Sequence, residues 1–151
     1  MKRFINLKGL ILVESFDSNS WSLVIEVTPQ DIMPLFMDIQ LLEFEQVDSL
    51  TISPVEVGNS VMLRLAENGD KSTIDQSNGK YQVQLTHRDI GTISSYLLKY
   101  YRDSYAPVDH LDIEISYKIK PDNDVTLMIK ASNVAEPLSE EAVRRALGIQ
   151  K

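Results

Sequence analysis

A run of strand, helix and strand between Tyr81 and Tyr117 constrains this chain more than any other stretch. Tyr81-Gln-Val-Gln-Leu-Thr86 and Leu111-Asp-Ile-Glu-Ile-Ser-Tyr117 both alternate apolar and polar residues, the period of a strand with one buried face. Between them the period changes. Ile90, Ile93, Leu97, Leu98, Tyr100, Tyr101 and Tyr105 share one side of a helix, with Thr92, Ser95, Lys99, Arg102 and Asp103 on the other. Thr86 is the natural N-cap. Asp89 stands three residues on, completing a Thr-x-x-acid capping box and placing a carboxylate at the positive end of the helix dipole. Gly91 weakens the first turns by about 1 kcal/mol relative to alanine, and Pro107 closes the segment, so the helix is predicted over about 87–105.

The flanking sequence reads mostly as further strands. Phe4 to Glu14 is extended, with Gly9 as a bulge or kink, and Trp21 to Thr28 returns beside it after the turn cluster Asp17-Ser-Asn-Ser20. The segment from Pro29 to Val47 is ambiguous: Asp31 to Met37 fits a short helical turn, and Ile39 to Glu45 fits a strand or a short helix, the strand being favoured because the apolar run is short and another strand follows. Leu50 to Val57 is extended but broken by Pro54. Ser60 to Ala66 is a strand whose hairpin partner, across Asn68-Gly69, is the polar piece Lys71 to Asp75. Asn78-Gly79 marks a second turn, and Leu111 to Ile119 pairs with Val125 to Ala131 across Pro121-Asp-Asn-Asp124. A short helix is predicted over about 139–147, capped by Ser139, with Glu140–Arg144 and Glu141–Arg145 pairs one turn apart and Gly148 at its end. No internal repeat is legible. The sum is a single α+β domain over 1–151: a mainly antiparallel sheet of about six to eight strands, one long helix and one short C-terminal helix. One helix covers only part of so wide a sheet, so the remainder must face solvent, curl on itself or meet a partner.

Composition narrows the function. The net charge of −7, with no basic cluster longer than a pair, weighs against binding DNA or RNA, where neutralised phosphates supply most of the affinity. It favours a basic protein partner. No apolar run approaches a membrane span, and the basic start of the chain lacks the cleavage site of a signal peptide, so no membrane association and a cytoplasmic location are expected. With no cysteine there are no disulfides, thiolate metal sites or cysteine nucleophiles.

Catalytic and cofactor signatures are sparse. The glycines are scattered singly, so neither GxGxxG nor a phosphate-binding GK[ST] occurs, and no Gly-x-Ser-x-Gly elbow presents a nucleophile. Asp122-Asn-Asp124 lacks the glycine and glutamate that a calcium loop needs. No cofactor and no metal site is expected. His110, Asp112 and Glu114 share one face of their strand, which suits either a His/carboxylate metal or acid–base site or, as favoured here, simply a solvated sheet face. His87 and Arg88 follow the helix cap. Tyr96 and Tyr100 lie toward one flank of the long helix, one turn apart, where a ring with a polar tip serves either an interface or a boundary with water.

Binding candidates are therefore Tyr96, Tyr100, His110, Asp112 and Glu114. The expected function is a non-enzymatic acidic protein-binding module, with a homo-oligomer also compatible. In size, acidity and lack of cysteine the chain is similar to many small bacterial immunity proteins, a resemblance that implies an inhibitor neutralising a basic partner. The competing expectation is a small enzyme or ligand-binding domain built around His110, Asp112 and Glu114.

Overall fold

Gly9 divides the first extended segment into two strands with different partners. In a computed structural model that describes residues 1–55, 58–67, 71–103 and 110–131, β1 (Lys2–Leu7) pairs in parallel with β4 (Ser49–Pro54). Beyond the break, β2 (Ile11–Asp17) pairs antiparallel with β3 (Ser20–Val27). After β3 come α1 (Pro29–Glu43), β4, β5 (Ser60–Leu65), β6 (Thr73–Ser77), β7 (Lys80–Leu85), α2 (His87–Asp103), β8 (His110–Tyr117) and β9 (Asp124–Ala131). The strands form one nine-stranded sheet in the order β1-β4-β5-β7-β6-β8-β9-β3-β2.

That order forces the sheet to curl. β1 and β2 stand at opposite ends of it, yet only Lys8 to Leu10 separate them in the chain. Nine strands laid flat would hold their edges roughly 38 Å apart, while the link from Leu7 to Ile11 reaches at most about 14 Å. The two ends therefore meet, and the segment Lys2–Asp17 acts as one long strand threaded between β4 and β3. Backbone bonds keep a single alternation through it. Asp48 N–H donates to Met1 O (2.8 Å) and Val55 N–H to Leu7 O (2.8 Å) on the β4 side, whereas Glu26 N–H donates to Leu10 O (2.7 Å) on the β3 side. Gly9 is required at the crossing, because a Cβ there would lie 1.7 Å from the Glu26 carbonyl oxygen. Across the curled core the Trp21 ring meets Tyr117 edge-on at 5.4 Å and Tyr81 at 6.3 Å.

One apolar core fills the curl. It takes Leu23, Ile25 and Val27 of β3, Val61 and Leu63 of β5, Val83 and Leu85 of β7, and Val125, Leu127 and Ile129 of β9. Both helices enter the same core, α1 through Ile32, Leu35, Ile39 and Leu42, α2 through Ile90, Ile93, Leu97 and Tyr100. At about 25 cal/mol per Å² of apolar surface, this burial is the dominant favourable contribution to the fold.

Several expectations are corrected here. The sheet is evenly mixed rather than mainly antiparallel: among the described residues four strand pairs run parallel and four antiparallel. It also has nine strands, and a second long helix replaces the strand expected over Ile39 to Glu45. Pro29 at the first helical position costs that helix nothing, since its missing N–H would be unbonded anyway. The antiparallel pairs β2–β3 and β8–β9 form as the sequence predicts, and Asn78 (φ 51°) and Gly79 (φ 76°) make the expected turn, which here joins β6 to β7 as an antiparallel pair. A hairpin between β5 and β6 does not form, because β7 lies between them. The tail helix over 139–147, the Asn68-Gly69 turn, Tyr105 and Pro107 fall outside the described residues. No helix among the described residues is long and apolar enough to cross a membrane.

The pairing pattern also repeats. β2-β3-α1-β4-β5 and β6-β7-α2-β8-β9 are each hairpin, helix, hairpin, and β3 pairs in parallel with β9 as β7 does with β5. Thr28-x-x-Asp31-Ile32 opens α1 and Thr86-x-x-Asp89-Ile90 opens α2. From there Leu35, Ile39 and Leu42 correspond to Ile93, Leu97 and Tyr100, all buried. In the preceding hairpins Gly9, Ile11 and Val13 correspond through the pairing register to Ser72, Ile74 and Gln76.

Candidate functional site

The polar alternation of β8 places its candidates on the outer face of the sheet. Ile113 and Ile115 point into the core, while Asp112 and Glu114 are exposed and His110 is half-buried. His110 Nδ1 lies 2.9 Å from Asp112 Oδ1, a hydrogen bond across two residues of the same strand face. The register extends this face over three further strands. Glu114 stands level with Thr126, Ser22 and Glu14, and Asp112 with Met128, Val24 and Leu12. Glu14 is exposed like Glu114, so carboxylates stand on both sides of the β2-β3-β9-β8 face, roughly 14 Å apart at one strand spacing per step. Lys130, between His110 and Glu26, is the face's half-buried cation.

Tyr96 and Tyr100 are elsewhere. Both are buried, Tyr96 at 6 % and Tyr100 at 3 % exposure, and burial pushes the Tyr100 hydroxyl's pKa above its ordinary value. Both belong to the apolar core, so the expected wet flank is buried, while α1 packs along a different side of α2, at Gly91 and Ser94. The structure therefore groups His110, Asp112 and Glu114 and separates both tyrosines from them. On α2 the exposed ring is Tyr101. His87 and Arg88 are exposed in the first turn of α2.

A second polar group went unseen in the sequence because it needs α1. Gln40 Nε2 donates to Glu43 Oε2 (3.0 Å) and to Ser94 Oγ (3.1 Å), and the Ser94 hydroxyl donates to the same Glu43 oxygen (3.3 Å). These groups floor an open groove of about 620 Å³ between the helices, rimmed by Phe36, Arg88 and Leu98. Gln40 Nε2, Ser94 Oγ and Glu43 Oε2 are bonded to one another, so the network ties α1 to α2.

Among the described residues no three His, Asp or Glu side chains are grouped to hold a metal ion. The groove and two other surface hollows, one at the β6–β7 hairpin and one near Asp48 and Arg64, take none of His110, Asp112 or Glu114 into their walls. No protein-family model matches the chain, and no curated protein matches it either.

Proposed function

We propose that this protein is a non-enzymatic acidic binding module that engages a basic protein partner, in the manner of an inhibitor or an immunity-type protein. The observation that carries the reading is the outer sheet face, where Glu14, Asp112 and Glu114 stand exposed in a chain of net charge −7. Carboxylates held on a rigid sheet raise the association rate of a cationic partner and discriminate against anionic ones, with an effect that salt screens. The test is affinity capture with the full chain, elution along a salt gradient and identification of what elutes. A basic protein released by salt, and lost with the double variant Asp112→Lys/Glu114→Lys, is the expected result. Retention indifferent to salt and to that variant would sink the reading.

One observation favours a second reading. The 2.9 Å His110–Asp112 pair is the orientation that a general base requires, which suits a small enzyme or ligand-binding site on β8. His110→Ala separates the two: turnover or ligand binding disappears in the second reading, and partner capture persists in the first.

A further inference from the structure

Among the described residues, the threaded strand Lys2–Asp17 has one stretch of backbone with no strand on its outer side. Leu10 bonds to Glu26, so by the antiparallel alternation Leu12 and Glu14 direct their N–H and C=O groups to β3. Ile11, Val13 and Ser15 then direct theirs to the other side. There the Asn59 side-chain amide donates to Ile11 O at 3.5 Å, but β4 ends at Pro54, and among the described residues no strand lies beside Val13 and Ser15. The same stretch is apolar: Leu12 is 40 %, Val13 39 % and Phe16 68 % exposed. An open apolar edge is a template for another strand, and native proteins usually blunt such edges.

The second half of the molecule shows the blunted version. Gln76 of β6 is the counterpart of Val13, and its N–H donates to the carboxylate of Asp75 (2.9 Å). The Gln76 side chain donates to the Tyr117 hydroxyl (3.1 Å), and Asp75, Gln76 and Ser77 carry no apolar side chain. In β2 no carboxylate among the described residues takes the corresponding N–H, and Leu12 stands where Asp75 would.

We propose that the edge of β2 from Ile11 to Ser15 takes an extended segment of the basic partner as an added strand. This rests on the acidic-module reading above and names the surface and the form of the partner. Outward N–H and C=O groups at the two-residue repeat of a strand match an extended backbone and no compact ligand. Leu12, Val13 and Phe16 receive its apolar side chains, and Glu14 and Asp17, both exposed, meet its cations. A second copy of this chain is disfavoured as occupant. Pairing two β2 edges about Glu14 sets that carboxylate against itself, and each copy carries −7. The register shift between Ser15 and Asp17 ends the usable edge.

The probe is a short peptide alternating valine and lysine, titrated into the isotope-labelled full chain, with its valine–glutamate counterpart as control. Saturable amide shifts and slowed hydrogen exchange at Val13 and Ser15, absent at Gln76, are expected from the lysine peptide only. Val13→Pro removes the outward N–H without touching the β2–β3 ladder, and should weaken binding about tenfold, the worth of one backbone hydrogen bond. The exchange measurement on the unmodified chain stands even if that variant does not fold. Equal binding of the glutamate peptide, no change at Val13 and Ser15, or self-association that Val13→Pro disperses would each overturn the proposal. Lysine-peptide shifts centred on Asp112 and Glu114 would overturn it too, while leaving the acidic-module reading in place.

Discussion

Thr28 and Thr86 begin the same device in two places, and Asp31 and Asp89 complete it with different strength. Asp31 is buried, and its carboxylate accepts from Lys8 N–H (2.8 Å), Gly9 N–H (3.0 Å), Thr28 N–H (2.9 Å) and the Thr28 hydroxyl (3.0 Å). It holds the cap of α1 and the crossing of the threaded strand at once. Asp89 reaches the corresponding strand only through Ser72, whose hydroxyl donates to it and accepts from Thr86 N–H (3.1 Å). The strands follow suit: β1 pairs with β4 over six residues, whereas β6 meets β8 at two. A common pairing plan does not fix how tightly each half is closed; the side chain set against the closing strand does.

The largest test of that difference is Gly9→Ala. The new methyl would overlap the Glu26 carbonyl, a backbone atom that cannot step aside, so a loss of at least about 3 kcal/mol in urea unfolding, or no folded protein, is expected. Asp31→Ala should come next. It leaves the backbone N–H groups of Lys8, Gly9 and Thr28 without their acceptor and should cost about 2–4 kcal/mol, against about 1 kcal/mol for Asp89→Ala. Equal losses from the two aspartates would break the comparison.

Alkaline pH sharpens it from another direction. Tyr81 and Tyr100 stand where the first half has Leu23 and Leu42, and burial raises both phenol pKa values above 10.0. A phenol that holds its proton longer when folded adds stability that is present below pH 10 and lost as pH rises through the folded value. Hydrogen exchange above pH 10 should therefore loosen β7 and α2 before β3 and α1, and Tyr100→Phe should delay it. The smallest effect has the opposite sign. Gly91→Ala in α2 meets only Glu43 Oε1 at 3.5 Å, an ordinary contact, and should raise stability by about 0.5–1 kcal/mol in the same urea measurement.

Much of the second half was legible in the sequence and much of the first was not, for physical reasons. α2 has a polar side to set against its buried one. α1 buries Ile32, Leu35, Ile39 and Leu42 at helical spacing, but Met33, Met37 and Leu41 occupy its other faces and Pro34 lies within it, so the sequence signal is blurred. Tyr96 and Tyr100 look like a boundary with water because a helical period alone does not show how wide a face the core takes; both rings are buried in it. The His110–Asp112–Glu114 alternation was readable because it depends only on β8's own period. Its alignment with Glu14 was not, since parallel pairing joins residues far apart in the chain and leaves no local mark.

The threaded strand also orders events during synthesis. Residues 2–17 are made before the strands they pair with, and β2 has its partner as soon as β3 follows, yet β1 has none until Ser49–Pro54 emerge. Until then Asp31 can hold Lys8 and Gly9 against the start of α1, parking the first strand where β4 will arrive. A nascent chain arrested short of β4 would thus carry a latch already set with nothing to close on.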